Sequence, residues 1–271
     1  MSIGQALILG IVQGLTEFLP VSSSGHLVLV PYWLGWEFDP AEAFAFDVFV
    51  QLGTLVAVIG YFWGDLKEII RAMFLQASAN GKGDRDKARL GWLLAVAILP
   101  AALLGFLFRE QVQLTFEQPA ATGWFLLGTA LLLVMSEQFG KRNVRIEVIR
   151  SFDALIIGVF QALALFPGLS RSGATITGGM LRGLERPAAA RFSFLLAVPI
   201  MLGAGLFAML EFFTTARTDD VALPFLAGFL AAAISGYLVI RWLLKFLAER
   251  SLYGFALYCT LVGVLTLLTT R

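Results

Sequence analysis

The charged residues of this chain cut it into long uncharged stretches. Residues 48–64, 90–108, 118–136, 192–210, 221–240 and 251–270 contain no Asp, Glu, Lys or Arg and run 17, 19, 19, 19, 20 and 20 residues. A bilayer core is crossed by about 20 apolar residues in a helix, so the pattern predicts six spanning helices. Pro100, Pro199 and Pro224 fall inside them, which membrane helices tolerate because neighbouring helices re-satisfy the freed backbone groups. Two further apolar regions are interrupted. Residues 1–36 carry only Glu17 as a charge and break at Pro20-Val21-Ser22-Ser23-Ser24-Gly25. Residues 154–181 carry only Arg171 and break at Pro167-Gly168-Leu169-Ser170-Arg171-Ser172-Gly173. Their limbs, roughly 10–18 residues each, are short for a span. Each region (1–36 and 153–183) reads as a re-entrant helical hairpin that enters the membrane and returns to the same face. Irregular backbone at that depth requires surrounding protein or a wet cavity.

Composition agrees. The 271 residues are 58% hydrophobic and 14% charged, against about 25% charged in soluble domains. The net charge of +1 excludes the basic balance of a general nucleic-acid binder. One cysteine, Cys259, excludes an intrachain disulfide, and one histidine, His26, excludes a multi-histidine metal site. The first apolar run has no basic n-region and is interrupted by Gln13 and Glu17, so it reads as part of the mature fold rather than as a signal peptide.

Loop charges set the orientation. Lys67, Arg71, Lys82, Arg85, Lys87, Arg89, Lys141, Arg142, Arg145, Arg150, Arg182, Arg186, Arg191, Arg241, Lys245 and Arg250 fall on one side, against Arg109, Arg217 and Arg271 on the other. The positive-inside rule places the first set in the cytoplasm and both termini outside. Three spans separate the hairpins, so the first enters from outside and the second from the cytoplasm, with tips placed to meet near the midplane.

The hairpins are related in sequence. At an offset of 148, ten of the 20 residues in 6–25 are identical, including Gly10, Gln13, Ser22, Ser24 and Gly25 over Gly158, Gln161, Ser170, Ser172 and Gly173. The chain therefore reads as one membrane domain of two repeats, 1–140 and 150–271, each a hairpin followed by three spans. An odd number of spans makes this an inverted-topology repeat, and broken helices at corresponding positions point to a site at the repeat interface.

The embedded polar residues are the chemical candidates. Gln13 and Glu17 share a helix face at i,i+4, and an intramembrane charge is costly enough to suggest function. The alternative is a Glu capping its own loop near an interface. His26 suits proton transfer or nucleophilic attack near neutral pH, or else is a hydrogen-bonded structural histidine. Arg171 needs an anionic partner at that depth, and its planar fork suits phosphate. Ser170, Ser172, Thr175 and a helix starting near Gly173 would add donors. The alternative is a structural Arg171–Glu17 ion pair. A phosphate on Arg171 would repel ionised Glu17, which implies a bridging divalent cation, a protonated Glu17 or proton transfer. Asp47 and Gln51 share a face but read as interfacial. Glu37, Asp39 and Glu42 read as a solvated outer loop, and Trp33, Trp36, Trp63 and Trp92 as interfacial anchors. The set points to phosphoryl transfer on a substrate reached from the membrane. On architecture alone, a transporter or lipid flippase ranks first, since inverted repeats with broken helices are typical of transporters.

The two broken segments reverse that order. Gln13-Gly14-Leu15-Thr16-Glu17, continuing through Pro20-Val21-Ser22-Ser23-Ser24-Gly25-His26, resembles the (E/Q)-x-x-x-E and P-V-S-S-x-G-H motif of bacterial undecaprenyl-diphosphate phosphatases, also called bacitracin resistance proteins. Pro167-Gly168-Leu169-Ser170-Arg171-Ser172-Gly173-Ala174-Thr175 resembles their P-G-x-S-R-S-G-A-T motif. The likeness covers essentially the whole chain, and Gln13 takes the Q option, leaving one motif carboxylate. The resemblance implies hydrolysis of undecaprenyl diphosphate to undecaprenyl phosphate, recycling the lipid carrier for peptidoglycan. It also implies indirect inhibition when bacitracin sequesters the substrate, and dependence on Mg2+ or Ca2+. It implies an outward-facing site in the bacterial inner membrane and leaves a homodimer open. Gln13, Glu17, Ser22, Ser23, His26, Ser170, Arg171 and Thr175 carry over as site residues. On this reading Glu17, with Gln13, positions metal or proton; Arg171 and the Ser170–Gly173 turn hold the diphosphate; Ser22 and Ser23 orient the phosphate. The nucleophile is left open between His26, Ser23 and water.

Overall fold

The first apolar run folds as helix α1 (Ile3–Phe18) because a capping box closes its start. Ser2 Oγ accepts from Gln5 N, and Gln5 Oε1 accepts from Ser2 N. The helix stops before Pro20, which disfavours helical geometry in the residue preceding it. Helix α2 (Ser23–Leu34) ends on Gly35, whose φ of 63° is the left-handed cap that glycine adopts without a Cβ penalty. Helix α3 (Pro40–Tyr61) starts inside the acidic segment read from sequence as a loop. Asp39 accepts from the backbone N–H of Ala41 and Glu42, and Pro40 occupies the first turn. The chain continues through α4 (Trp63–Ala77), α5 (Arg85–Leu107), α6 (Pro119–Phe139), α7 (Ser151–Leu163), α8 (Arg171–Leu181), α9 (Arg186–Thr215), α10 (Ala222–Glu249) and α11 (Tyr253–Thr269). This computed structural model describes residues 1–77, 84–108, 115, 118–215 and 222–270, with the side chains of 77, 204 and 206–215 excepted. Lys82, Arg109, Arg217 and Arg271, four of the charges used for orientation, lie outside the described residues.

Among the described residues the fold is all helical, apart from an isolated bridge between Val144 and Leu184. Helices α3, α5, α6 and α10 are long and apolar enough to cross a membrane. Helix α9 runs 30 residues and α11 runs 17. Large apolar side chains cover the outside of these helices: Phe106 is 83% exposed, and Ile234, Leu99, Leu257 and Leu261 each exceed 60%. A surface of that kind suits lipid, not water, and the chain is a multi-pass membrane protein. The segment 65–89, read as a loop, contains most of α4. Leu66, Ile69 and Met73 recur at helical spacing and pack against the core, with Met73 seated on Gly91 of α5.

The two hairpins are anchored alike. Helix α1 packs along α10, and α7 packs along α5. A Cβ at Gly10 would collide with the Gly228 carbonyl oxygen, and one at Gly158 with that of Ala97. Without hydrophobic drive between membrane helices, such small residues let backbones approach closely. Gly158→Ala is therefore expected to lower stability in detergent by about 1–3 kcal/mol, the usual cost of overpacking. Gly4→Ala, where a Cβ meets nothing within 4 Å, is the control and should leave the thermal midpoint unchanged.

The core lies where α1, α3 and α9 converge. Phe18 meets Phe194 edge-on at 5.4 Å, and Phe194 lies 6.5 Å from Phe62. A second buried carboxylate, Glu137, ties the end of α6 to Arg142, Arg186 and the Leu252 backbone N–H. Its oxygens are fully engaged, so it reads as a structural joint.

Candidate active site

Both hairpins turn through a serine that caps the following helix. Ser22 Oγ accepts from Gly25 N at 3.3 Å, and Ser170 Oγ accepts from Gly173 N at 3.0 Å. These serines correspond under the 148-residue offset. The capped helices α2 and α8 begin at Ser23 and Arg171, which also correspond.

The tips touch. Gly168 N donates to Ser22 Oγ at 3.0 Å, and Ser172 Oγ donates to the Leu19 carbonyl at 2.9 Å. A Cβ on Gly25 would stand 3.2 Å from Gly168 Cα, tight enough to push on the contact, while Gly168 has φ 99° and a Cβ there would collide with the Thr122 carbonyl oxygen. Two helix N-termini, each with unpaired N–H groups and a positive dipole end, thus meet at one point. Such a junction favours an anion.

Glu17 stands at that junction, 7% exposed. Its Oε2 accepts from Ser23 Oγ at 2.5 Å and from Gln13 Nε2 at 3.0 Å, while Oε1 accepts from Arg171 Nη2 at 2.7 Å. The ion pair that the sequence left as an alternative for Arg171 is present. The Ser23 contact has the form of an activated nucleophile: a hydroxyl on a carboxylate that other groups orient.

His26, also buried, points elsewhere. Its Nδ1 lies 2.7 Å from the Ser22 carbonyl oxygen and its Nε2 lies 2.7 Å from the Tyr258 hydroxyl. The remaining sequence candidates bond to their own turns and neighbouring helices. Ser170 and Ser172 Oγ atoms pair at 3.1 Å. Thr175 Oγ1 donates to the Arg171 carbonyl at 2.8 Å and meets Ser193 Oγ at 2.6 Å, so it holds the first turn of α8 against α9. Among the described residues Asp47 makes no hydrogen bond or ion pair with the Glu17 group, and it lies exposed on α3.

Two contributors escaped the sequence reading. Thr129 on α6 donates to the Gly168 carbonyl at 2.8 Å and accepts from Ser170 N at 2.9 Å, pinning the turn that carries Arg171. Tyr258 on α11 closes on His26. Both sit singly in apolar runs, and no motif or spacing marks them.

A divalent cation fits these residues in one form. Among the described residues no three His, Cys, Asp or Glu side chains converge. Glu17 and the Ser23 hydroxyl nevertheless offer hard oxygen donors side by side, and Gln13, whose amide nitrogen faces Glu17, would add its oxygen only with the amide turned over. Mg2+ is commonly held by one or two carboxylates plus substrate phosphates and water.

Residues 6–265 match the family described as Bacitracin resistance protein BacA. The undecaprenyl-diphosphatase of Rubrobacter xylanophilus is 44% identical over 269 residues, covering 97% of this chain and 98% of that protein. The protein of the same name from Moorella thermoacetica is 41% identical, covering 98% and 97%. That of Methanosphaera stadtmanae is 40% identical, covering 99% and 98%.

Proposed function

The chain belongs to the bacitracin resistance protein BacA family, and from that premise we propose that it is an undecaprenyl-diphosphatase. It hydrolyses undecaprenyl diphosphate to undecaprenyl phosphate and inorganic phosphate, returning the lipid carrier to peptidoglycan synthesis. The observation that carries this reading is the Ser23–Glu17–Arg171 group at the meeting point of two helix N-termini.

The geometry favours Ser23 as nucleophile. The terminal phosphate displaces Glu17 from part of the Arg171 guanidinium and sits against the N-terminal turns of α2 and α8. Ser23 Oγ attacks the terminal phosphorus and passes its proton to Glu17. The bridging P–O bond breaks, and undecaprenyl phosphate leaves with the bonding electron pair. Water then attacks the phosphorus of the phosphoserine in line; the Ser23 Oγ–P bond breaks, the serine takes back the proton held by Glu17, and the water's oxygen and protons leave with inorganic phosphate. Positioning and charge neutralisation supply most of the acceleration in phosphoryl transfer. Glu17, with Gln13, would hold a Mg2+ or Ca2+ ion, which when bound neutralises developing negative charge on the phosphate oxygens.

Placement follows from the same reading. The halves 1–140 and 150–271 form inverted repeats, with 1–36 and 153–183 re-entrant and six helices spanning. The matched packing of α1 on α10 and α7 on α5 supports this. Basic loops face the cytoplasm, both termini face outward, and the site opens to the outer face of a bacterial cytoplasmic membrane. The polyprenyl tail lies between helices in the lipid.

Phosphate release from undecaprenyl diphosphate by the purified protein in detergent decides between hydrolysis and its rival, lipid transport. Transport requires two compartments and hydrolysis does not. One inorganic phosphate per lipid is expected, with the lipid monophosphate as co-product. A folded protein that releases none, with either divalent ion present, would remove the phosphatase reading.

A further inference from the structure

His26 is the single histidine of the chain, and both of its ring nitrogens are engaged. Nδ1 faces the Ser22 carbonyl oxygen at 2.7 Å. A carbonyl only accepts, so Nδ1 carries the proton. In the neutral ring Nε2 is then an acceptor, and the Tyr258 hydroxyl at 2.7 Å donates to it. The two rings stack at 5.7 Å with planes 9° apart. Tyr258 comes from α11, at the far end of the chain. Tyr258 is 42% exposed, yet its hydroxyl reaches inward to a histidine that is 5% exposed.

The receiving carbonyl belongs to a strained residue. Ser22 has φ 70°, in the left-handed region that favours glycine. Its carbonyl accepts both from His26 N at 3.2 Å and from His26 Nδ1. Its hydroxyl holds Gly25 and Gly168. Ser22 immediately precedes Ser23, so its backbone sets where the Ser23 hydroxyl lies relative to Glu17. Strain at such a position persists only when surrounding groups over-determine it.

We propose that Tyr258 is a positioning residue of the phosphatase site, acting through His26 and the Ser22 carbonyl to hold Ser23 against Glu17. This rests on the assignment of Ser23 and Glu17 above and adds that His26 works through the Ser22 turn, not as the nucleophile. The last helix of the chain thereby braces the first hairpin.

Because there is one histidine, 15N labelling of His in the full-length protein in micelles gives one pair of imidazole signals. The expected pattern is a protonated Nδ1 and an unprotonated, hydrogen-bonded Nε2. Tyr258→Phe should move the Nε2 signal downfield, keep Nδ1 protonated and lower kcat about tenfold through misplacement of the nucleophile. KM should hold, since Arg171 and Glu17 are untouched. His26→Asn, whose amide N–H stands in for Nδ1, should keep more activity than His26→Gln, whose amide stands in for Nε2. Adding Tyr258→Phe to His26→Asn should cost nothing further, as coupled residues behave.

An unmoved Nε2 signal or an unchanged kcat in Tyr258→Phe overturns the proposal. So does a His26→Asn variant, folded by its thermal midpoint, that is as inactive as His26→Ala. If Tyr258→Phe does not fold, the Asn-against-Gln comparison and the wild-type signals still decide. The phosphatase reading is judged separately, by phosphate release from the wild-type protein and from Ser23→Ala.

Discussion

Ser23→Ala is expected to reduce phosphate release from undecaprenyl diphosphate by roughly a thousandfold to a millionfold, the range seen when a covalent nucleophile is removed. The fold should survive. Ser23 is partly exposed, and Glu17 keeps Gln13 and Arg171 as partners. Losing one hydrogen bond from that group costs on the order of 1 kcal/mol. The phosphoserine intermediate supplies a direct check. Acid quenching of the wild-type reaction should leave label from a radioactive terminal phosphate on Ser23, and none on the alanine variant. Activity retained within tenfold, with no labelled serine, would mean that water attacks directly.

The second large effect concerns the buried ion pair. Glu17 and Arg171 have side chains 6% and 19% exposed and lie 2.7 Å apart. Removing one partner leaves an uncompensated charge, at a cost of about 3–5 kcal/mol in buried settings. Arg171→Ala and Glu17→Ala should each lower the thermal midpoint in detergent, and the double variant should be more stable than the sum of the singles predicts. Activity should behave differently from stability. Glu17→Gln keeps the shape but loses the proton acceptor, a loss of about 10²–10⁴-fold for general base catalysis. Arg171→Lys keeps charge but not the fork, so it should recover stability better than turnover. A double variant that regains activity along with stability would refute the assigned roles.

Much of this arrangement is legible in the sequence. Intramembrane charge is rare enough that Glu17 and Arg171 marked themselves. The offset between the hairpins already paired Ser22 with Ser170 and Gly25 with Gly173, the positions that cap both helices and let the tips touch. The local roles of the hydroxyls were not legible. Thr175 and Ser170 carry the right chemistry for phosphate, and their hydroxyls also bond within the turns that they stabilise. A sequence records which donors exist, not which backbone groups compete for them. Thr129 and Tyr258 were invisible for a different reason. Their contacts cross 39 to 232 residues of chain, and a single polar residue in an apolar helix has no periodicity to read. Helix boundaries moved where caps outweighed hydropathy, as when Asp39 and Pro40 started α3 ahead of the uncharged run.

The contact between Glu17 and Arg171 also bears on how a catalytic cycle ends. Inorganic phosphate, once formed, lies beside a guanidinium that would hold it strongly in a low-dielectric setting. Glu17 is tethered next to that same guanidinium, and a tethered partner competes at an effective concentration on the order of millimolar. Expelling the anion therefore exchanges one hydrogen-bonded partner for another and never strands a bare cation in the membrane. The enzyme carries its own displacing counterion, so free phosphate should inhibit it only weakly, and turnover should persist as the product accumulates.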